Sequence, residues 1–119
     1  MTDDTLSWGK RLLLPNRRGC ETENIEWKNW VWTFTTSNYP DGKLAEIFID
    51  TPTEGDLTRP KRGSDLALLV QDGAVVASIA LQYGAPIQVL AGAVQLGARG
   101  EPLTIFSAVL QSIARRNQG

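Results

Sequence analysis

The residue best suited to nucleophilic chemistry is Cys20, the only cysteine of the chain, which follows Arg17 and Arg18. Neighbouring arginines stabilise a thiolate and make a cysteine reactive. A cysteine nucleophile also needs a base or a resolving thiol, and the chain contains no histidine and no second cysteine. We therefore interpret Cys20 as an incidental cysteine at the edge of a strand.

The densest group of carboxylates is Glu21, Glu23 and Glu26. If the segment is a strand, Glu21 and Glu23 share one face and Glu26 lies on the other. The spacing matches neither an EF-hand nor another acidic metal motif, so a solvent-exposed strand face is the favoured interpretation. The lack of histidine also excludes His-based triads and His-ligated zinc. We expect no catalytic residues, no metal and no cofactor, and a stand-alone enzyme is the least favoured function.

Two basic clusters are better candidates for a functional site. Arg17 and Arg18 belong to the first, and Arg59, Lys61 and Arg62 form the second, just before a predicted helix N-terminus, where anions bind readily. The second cluster lacks the glycine spacing of a phosphate-binding loop, and a solvated loop is its alternative interpretation. The formal net charge of −1 supplies no overall attraction to DNA or to anionic membranes. We predict these five residues as binding residues for a macromolecular partner.

Four aromatic residues, Trp27, Trp30, Trp32 and Phe34, are close in sequence. Such residues stack on nucleic-acid bases when they are exposed on a sheet. They also supply most of the buried area when a sheet packs under helices. We favour the buried face, because a three-stranded sheet needs one to be stable. Trp27 remains a candidate binding residue.

The composition indicates one small soluble domain. A length of 119 residues, with 42% hydrophobic and 21% charged residues, is typical of a single globular unit. The start, MTDDTLSWGK, is acidic and polar, unlike a secretory signal, so we expect the protein in the cytoplasm. The apolar stretch from Leu66 to Leu81 is interrupted by Gln71, Asp72 and Ser78, which favours a core helix over a transmembrane one.

The first half of the chain is predicted to form an antiparallel meander. Residues 1–19 are interpreted as a basic N-terminal arm, with 12–14 laid on the domain as a short strand, and 20–119 as the single domain. The strands are ETENIEW, WVWTFTT and KLAEIFID, joined by turns at Lys28-Asn29 and at YPDG. Residues 51–63 are predicted to be a loop. Glu46 falls on a face that the pattern predicts to be buried, as either an anchor for an arginine or part of a binding site.

The second half is predicted to form three helices. The first begins after Ser64, a suitable N-cap, and ends at Tyr83-Gly84; the second spans about 86–93, and the third about 102–116. The main apolar stripe of the first helix comprises Leu66, Leu69, Val70, Gly73, Ala77, Ala80 and Leu81, and a narrow polar strip holds Gln71, Ser78 and Gln82. The fold class is therefore α+β, a three-stranded antiparallel sheet packed against three helices.

A second apolar row on the first helix, Leu68, Val75 and Ile79, lies opposite the main stripe. A helix that is apolar on nearly all sides has to be covered twice. The sheet and the other helices of one chain are the favoured covering, and a second subunit is the alternative. If a second subunit covers this row, the protein is a homodimer, which is the oligomeric state that we expect.

The motifs LPNRRGCET, YPDGKLAEIFID and GSDLALLVQDGAVVASIALQYGAPIQVL together resemble the TSCPD-domain family. Members of that family are small modules at the C-terminal end of cobalamin-dependent ribonucleotide reductases, or short stand-alone bacterial and phage proteins. The chain lacks the cysteine-containing motif that gives the family its name. The resemblance implies a non-enzymatic interaction module whose partner is a ribonucleotide reductase or another protein of nucleic-acid metabolism. The alternative is nucleic-acid or nucleotide binding through the basic arm and loop.

Overall fold

The computed structural model of the chain describes residues 10–15 and 19–117. Three strands come first, β1 (Gly19–Trp27), β2 (Trp30–Asn38) and β3 (Leu44–Gly55), and three helices follow, α1 (Asp65–Gln82), α2 (Ile87–Ala93) and α3 (Ile105–Arg116). The strands form one antiparallel sheet in the order β1-β2-β3. The predicted α+β fold and its meander are thus confirmed.

Both predicted turns of the meander are present. Lys28 and Asn29 have φ angles of 53° and 67°, the left-handed values that a tight two-residue hairpin requires. They place Trp27 directly opposite Trp30. In the second turn the Gly42 N–H donates to the Tyr39 carbonyl oxygen at 2.8 Å. The turn chemistry therefore sets the register of all three strands.

Strand β3 continues to Gly55, so the prediction that residues 51–63 are all loop was wrong at its start. The pairing with β2 shifts between Val31 and Thr33, where Pro52 lies buried in the strand. A bulge tolerates a residue that has no N–H to donate, which explains the proline there. At the end of the strand, a Cβ on Gly55 would lie 2.4 Å from the Asn29 carbonyl oxygen, so only glycine fits.

The inner face of the sheet is buried under the helices, as the aromatic pattern predicted. Trp32 and Phe34 are 0% and 1% exposed, and Ile47 and Ile49 join them in the core. The face that carries Glu46 points away from the helices, and Phe48 beside it is 47% exposed. The prediction of a buried face holds only in part: Glu46 is half-buried, because the helices that the structure describes cover the opposite face of the sheet.

Helix α1 packs along β3, an edge strand, and two of its polar side chains form hydrogen bonds with the backbone of that strand. The Ser78 hydroxyl accepts from the Ile47 N–H at 2.9 Å and lies 2.8 Å from the Ala74 carbonyl oxygen. The Gln82 amide donates to the Ala45 carbonyl oxygen at 3.2 Å. Ser78 and Gln82 belong to the narrow polar strip of the helix, and both are buried. These two side chains provide hydrogen-bond partners for backbone groups at the edge of the sheet that would otherwise lack them.

Because Ser78 and Gln82 face β3, part of the predicted apolar stripe of α1 faces away from the sheet. Leu66 and Leu69 are 40% and 67% exposed, which corrects their assignment to the core. The side of α1 that faces the sheet is instead formed mainly by small or medium apolar residues, Ala67, Val70, Ala74, Ala77 and Leu81. Alanine permits the close approach that the Ser78 and Gln82 hydrogen bonds need. The second apolar row, Leu68, Val75 and Ile79, is exposed as well.

Helix α3 begins at Ile105, three residues later than predicted. The Thr104 hydroxyl accepts from the Ser107 N–H at 3.0 Å, and the Thr104 N–H donates to the Ser107 hydroxyl at 3.0 Å. These reciprocal bonds form a capping box, which fixes the start of the helix. Leu103, which lies within the predicted bounds of the third helix, precedes the cap and is 49% exposed.

The described part of the N-terminal arm rests on the C-terminal end of α1. The Leu12 N–H donates to the Gln82 carbonyl oxygen at 2.9 Å, and the Arg11 guanidinium donates to the Gln82 side-chain oxygen. The Tyr39 hydroxyl donates to the Leu12 carbonyl, and burial raises the pKa of Tyr39 above its ordinary value. Residues 12–14 are laid on the domain as expected, but they do not form a strand.

Candidate functional site

The basic loop before α1 brings three predicted binding residues together. Arg59, Lys61 and Arg62 line one cleft of about 550 Å³, whose apolar part is formed by Leu57 and Pro60 of the loop and Pro52 of β3. Among the described residues, no carboxylate lines this cleft. The other two predicted binding residues, Arg17 and Arg18, lie outside the described residues. The loop half of the predicted basic site is therefore a single concave cationic surface.

A hydrogen-bonded turn at Asp56 fixes the start of this loop. The Asp56 carboxylate accepts from the Thr58 hydroxyl, from the Thr58 N–H at 3.0 Å and from the Trp30 indole N–H at 3.0 Å. The Thr58 hydroxyl bond, followed by the Trp30 indole bond, holds the pKa of Asp56 below its ordinary value. At the other end, the Ser64 N–H donates to the Lys61 carbonyl oxygen at 3.0 Å. The cationic residues are thus carried on a loop anchored at both ends.

Trp27 lies in a different depression from the cationic loop. Its neighbours there include Lys28, Leu66 and Leu69. Trp30 lines the same depression, but its indole N–H is already bonded to Asp56 and Thr58. The structure therefore gives no combined site in which Trp27 and the basic loop act on the same depression.

The described residues that were considered for catalysis or metal binding are Cys20 and the carboxylates of β1. Cys20 is exposed, and its sulfur lies 3.4 Å from the Ser37 hydroxyl oxygen. Within residues 10–15 and 19–117, no group of three His, Cys, Asp or Glu residues could hold a metal ion. Glu23, predicted to lie on a solvated face, forms an ion pair with Arg116. The same guanidinium donates to the buried Thr36 hydroxyl at 2.8 Å, so Glu23 has a structural partner on α3.

Sequence reasoning missed an apolar groove between α1 and α3. Two depressions of about 360 and 370 Å³ share Phe106 in their lining. We call them together the α1–α3 groove. Its hairpin end, beside β1 and β2, is lined by Trp27, Lys28, Trp30, Leu66, Leu69 and Leu103. Its α2 end is lined by Asp72, Val76, Ala80, Leu90, Ala93 and Val94. The surplus of apolar residues on α1 is the sequence signal for it, but the pattern favours covering by the chain's own sheet and helices, with a second subunit as the alternative.

The groove continues into a wider apolar surface on α1. Six of the twelve large hydrophobic residues that are exposed in the described part of the chain belong to this helix. They are Leu66, Leu68, Leu69, Val75, Val76 and Ile79. By length and composition alone α1 could also cross a membrane, as the core helices of many soluble proteins could. Here 39% of its residues are buried against the rest of the chain.

The chain matches no family model, no curated protein and no solved structure. Its class is that of a small α+β domain, and its function has to be inferred from its own surfaces. Two surfaces are candidates. One is the cationic cleft of the basic loop, and the other is the apolar face of α1 with its groove.

Proposed function

We propose that this protein is a non-enzymatic protein-interaction module that binds its partner through the apolar face of α1. The observation that carries the proposal is the exposure of six large aliphatic side chains on one helix. Leu69 and Val76 are each 67% exposed, although their neighbours on the helix are well packed against β3. Soluble proteins rarely leave such a contiguous apolar patch uncovered unless it is a binding surface.

The energetics favour an interaction role for this face. Burying apolar surface stabilises a complex by roughly 25 cal/mol per Å², and exposed leucines and valines have much of their area still to bury. The scaffold beneath the face is rigid, because Ser78 and Gln82 bind α1 to the edge of the sheet. A preorganised surface loses little conformational entropy on binding. The face therefore has both the area and the rigidity of a docking site.

The experiment that tests this proposal is an affinity purification from the native host with two matched variants. Leu69→Asp and Val76→Asp together place charges on the α1 face, whereas Val89→Asp changes an exposed valine of α2 that lines neither the cationic cleft nor the α1–α3 groove. We expect a defined protein to copurify with the wild type and with Val89→Asp at moderate salt, and to be lost with the double variant. Recovery of the same proteins with all three baits would contradict the proposal.

The TSCPD-domain resemblance, which rests on the quoted motifs, supplies the class of partner that we propose. It points to a ribonucleotide reductase or another protein of nucleic-acid metabolism, with the chain acting in the cytoplasm as a bacterial or phage accessory module. Mass spectrometry of the copurified protein tests this directly. An unrelated partner would remove the family assignment and leave the interaction function standing.

A second candidate function is nucleic-acid or nucleotide binding by the cationic cleft. The observation in its favour is the convergence of Arg59, Lys61 and Arg62 on one concave surface with no lining carboxylate among the described residues. Phosphate groups bind such surfaces, and the affinity falls steeply with salt because counterions are released. Trp27 lies in another depression. Nucleic-acid binding in the cationic cleft would therefore not involve stacking of Trp27 on a base.

Fluorescence anisotropy with a labelled single-stranded oligonucleotide tests this candidate. The triple charge reversal Arg59→Glu, Lys61→Glu, Arg62→Glu should abolish binding at low salt. A matched triple reversal at Lys10, Lys43 and Arg99 keeps the same net charge and should retain most of the affinity. Equal losses in the two variants would show a general charge effect and remove the cleft as a site. Unchanged partner binding after reversal of Arg17, Arg18 and the three cleft residues would exclude both basic clusters from the protein interface.

A further inference from the structure

A second depression adjoins the cationic cleft along β3. It has a volume of about 400 Å³, and it shares Arg62, Thr53 and the buried Pro52 with the cleft. We call it the polar depression, and the rest of its lining is formed by Thr33, Asp50, Thr51 and Gln71. Because the two depressions have lining residues in common, one small ligand can contact both.

The two depressions differ in chemistry. The cleft holds three cations and, among the described residues, no carboxylate, whereas the polar depression combines hydroxyl and amide groups with the carboxylate of Asp50. Asp50 and Arg62 line the polar depression together without forming an ion pair. Within the described part of the chain, the side chains of Asp50 and Gln71 also take part in no hydrogen bond. These polar groups are therefore available to a ligand.

The charges of the two depressions indicate what each end of a ligand must carry. A group that binds three cations has to be strongly anionic, and a phosphate monoester, with nearly two negative charges and several acceptor oxygens, fits guanidinium groups well. The carboxylate of Asp50 only accepts hydrogen bonds, so the other end of the ligand needs donors instead of a second anion. Sugar hydroxyls supply such donors, as in dinucleotide sites, where an acidic residue binds a ribose hydroxyl.

We infer that the cationic cleft and the polar depression together bind a phosphorylated sugar, with its phosphate on the three cations and two adjacent hydroxyls on Asp50. The inference rests on phosphate binding by the cleft, the second candidate function above, and it names a small molecule as the ligand. Inside a nucleic-acid strand the 3′ oxygen of each sugar is esterified, so no pair of free adjacent hydroxyls can bind Asp50. A zwitterion such as an amino acid would offer the three cations only one negative charge.

The test is an NMR titration of the full ¹⁵N-labelled chain at about 0.05 M salt, where charge interactions are weakly screened. Ribose 5-phosphate carries both chemical groups, inorganic phosphate has only the anion, and 2-deoxyribose 5-phosphate lacks the adjacent ring hydroxyls. Phosphoethanolamine has an ammonium group in place of hydroxyls. We expect ribose 5-phosphate to bind at least about tenfold more tightly than each of the other three, because only this ligand uses both depressions. It should shift the amide signals of Thr33, Asp50 and Gln71, which inorganic phosphate should leave in place.

Adenosine monophosphate carries the same phosphate and the same hydroxyl pair on a nucleoside. Comparing it with ribose 5-phosphate separates the two sources of this chemistry. Tighter binding of adenosine monophosphate identifies a nucleotide as the ligand, and weaker binding identifies a free sugar phosphate.

Two matched pairs of variants locate the two ends of the ligand. Arg59→Gln removes a cation of the cleft, and Arg99→Gln removes an exposed one outside both depressions. Asp50→Ala removes the carboxylate, and Glu21→Ala removes an exposed one on β1. Arg59→Gln should weaken inorganic phosphate and ribose 5-phosphate alike, by at least about threefold. Asp50→Ala should weaken ribose 5-phosphate at least about fivefold without weakening inorganic phosphate, and both controls should bind like the wild type.

Equal affinity for ribose 5-phosphate and inorganic phosphate would overturn the inference and leave phosphate binding by the cleft standing. Equal effects of Asp50→Ala and Glu21→Ala on ribose 5-phosphate, or equally tight binding of phosphoethanolamine, would overturn it in the same way. If no phosphate-bearing ligand shifts any signal and the oligonucleotide does not bind either, the second candidate function fails as well. The dispersion of the same NMR spectra shows whether each variant is folded.

Discussion

Arg116 shows how one residue near the end of the chain holds the sheet to the last helix. Its guanidinium pairs with Glu23 on β1 and donates to the buried Thr36 hydroxyl on β2. We expect Arg116→Ala to lower the free energy of unfolding by about 1–2 kcal/mol, mainly because Thr36 loses a partner where water cannot replace it. Glu23 is only half-buried and its ion pair is partly screened by solvent, so Glu23→Gln should cost only about 0.5 kcal/mol.

Urea denaturation followed by tryptophan fluorescence measures both changes. Arg115→Ala is the matched control, because Arg115 occupies the same last turn of α3 and is exposed. It reports any loss of favourable interaction with the helix dipole. If Arg115→Ala and Arg116→Ala lower the free energy of unfolding equally, the hydrogen bond from Arg116 to Thr36 does not contribute measurably to stability.

Asp56 makes stability depend on acidity. Its pKa lies below the ordinary value of 3.8, first because of the Thr58 hydroxyl bond and then because of the Trp30 indole bond. A lowered pKa in the folded state stabilises the fold above the unfolded value, and this contribution is lost as the pH falls through the folded pKa. Wild type should therefore exceed Asp56→Asn in its urea midpoint at pH 7, and the difference should shrink as the pH falls below 3.8.

The Thr58→Val background provides the control for this pH dependence. Without the hydroxyl, the largest cause of the pKa shift is gone, so Asp56→Asn should have a smaller and less pH-dependent effect. A difference between wild type and Asp56→Asn that stays constant from pH 7 to below 3.8 would contradict the assignment.

At the scale of the elements, the contact between α1 and β3 depends on Ser78. Its hydroxyl accepts from the Ile47 N–H at 2.9 Å, and that N–H belongs to the edge strand. Ser78→Ala should lower the free energy of unfolding by about 1–3 kcal/mol, because a buried backbone donor loses its acceptor. The Ile47 amide should also exchange its hydrogen faster than the amides of β2. Ser112→Ala on α3 is the control and should change stability by less than about 0.5 kcal/mol. If the Ile47 amide exchanges at the same rate in Ser78→Ala as in the wild type, the Ser78 hydroxyl does not protect this amide at the edge of the sheet.

The elements also show what the sequence could and could not predict. The three strands, both turns and the start of α1 followed from local chemistry, because Ser64 caps the helix through the Ala67 N–H at 3.3 Å as its type indicates. The orientation of α1 did not follow, because it depends on the free edge of β3, which is a feature of the assembled sheet. Periodicity ranked Leu66 and Leu69 above Ser78 and Gln82 for burial. The hydrogen-bonding demand of the strand edge reversed that order.

The candidate site was predictable to a smaller extent. The basic loop was found, because Arg59, Lys61 and Arg62 are close in sequence and one short loop keeps them together. The α1–α3 groove was not found, because Phe106 and Gly73 meet there across 33 positions of sequence. Pattern analysis assigns an apolar surplus to a core by default. Only the packing geometry shows that one chain leaves part of it open.

At the scale of the whole molecule, the homodimer expected from the sequence is tested by two adjacent valines. Val75 belongs to the exposed row with Leu68 and Ile79, outside the groove, whereas Val76 lines the groove. A two-fold dimer places the same row of both copies in contact. Three aliphatic side chains per copy supply much less than the roughly 800 Å² per partner of a stable interface, so we expect a weak dimer that forms only at high concentration.

Sedimentation velocity over a range of protein concentrations tests this dimer. Wild type and Val76→Asp should sediment increasingly faster than a 13.0 kDa monomer as concentration rises, whereas Val75→Asp should remain monomeric. Monomeric wild type at every concentration would exclude self-association through this row. If Val76→Asp alone abolished the dimer, the copies would meet through the groove, and the second copy would then compete with any other partner for the same surface. The two valines therefore separate the two roles that one apolar helix can have.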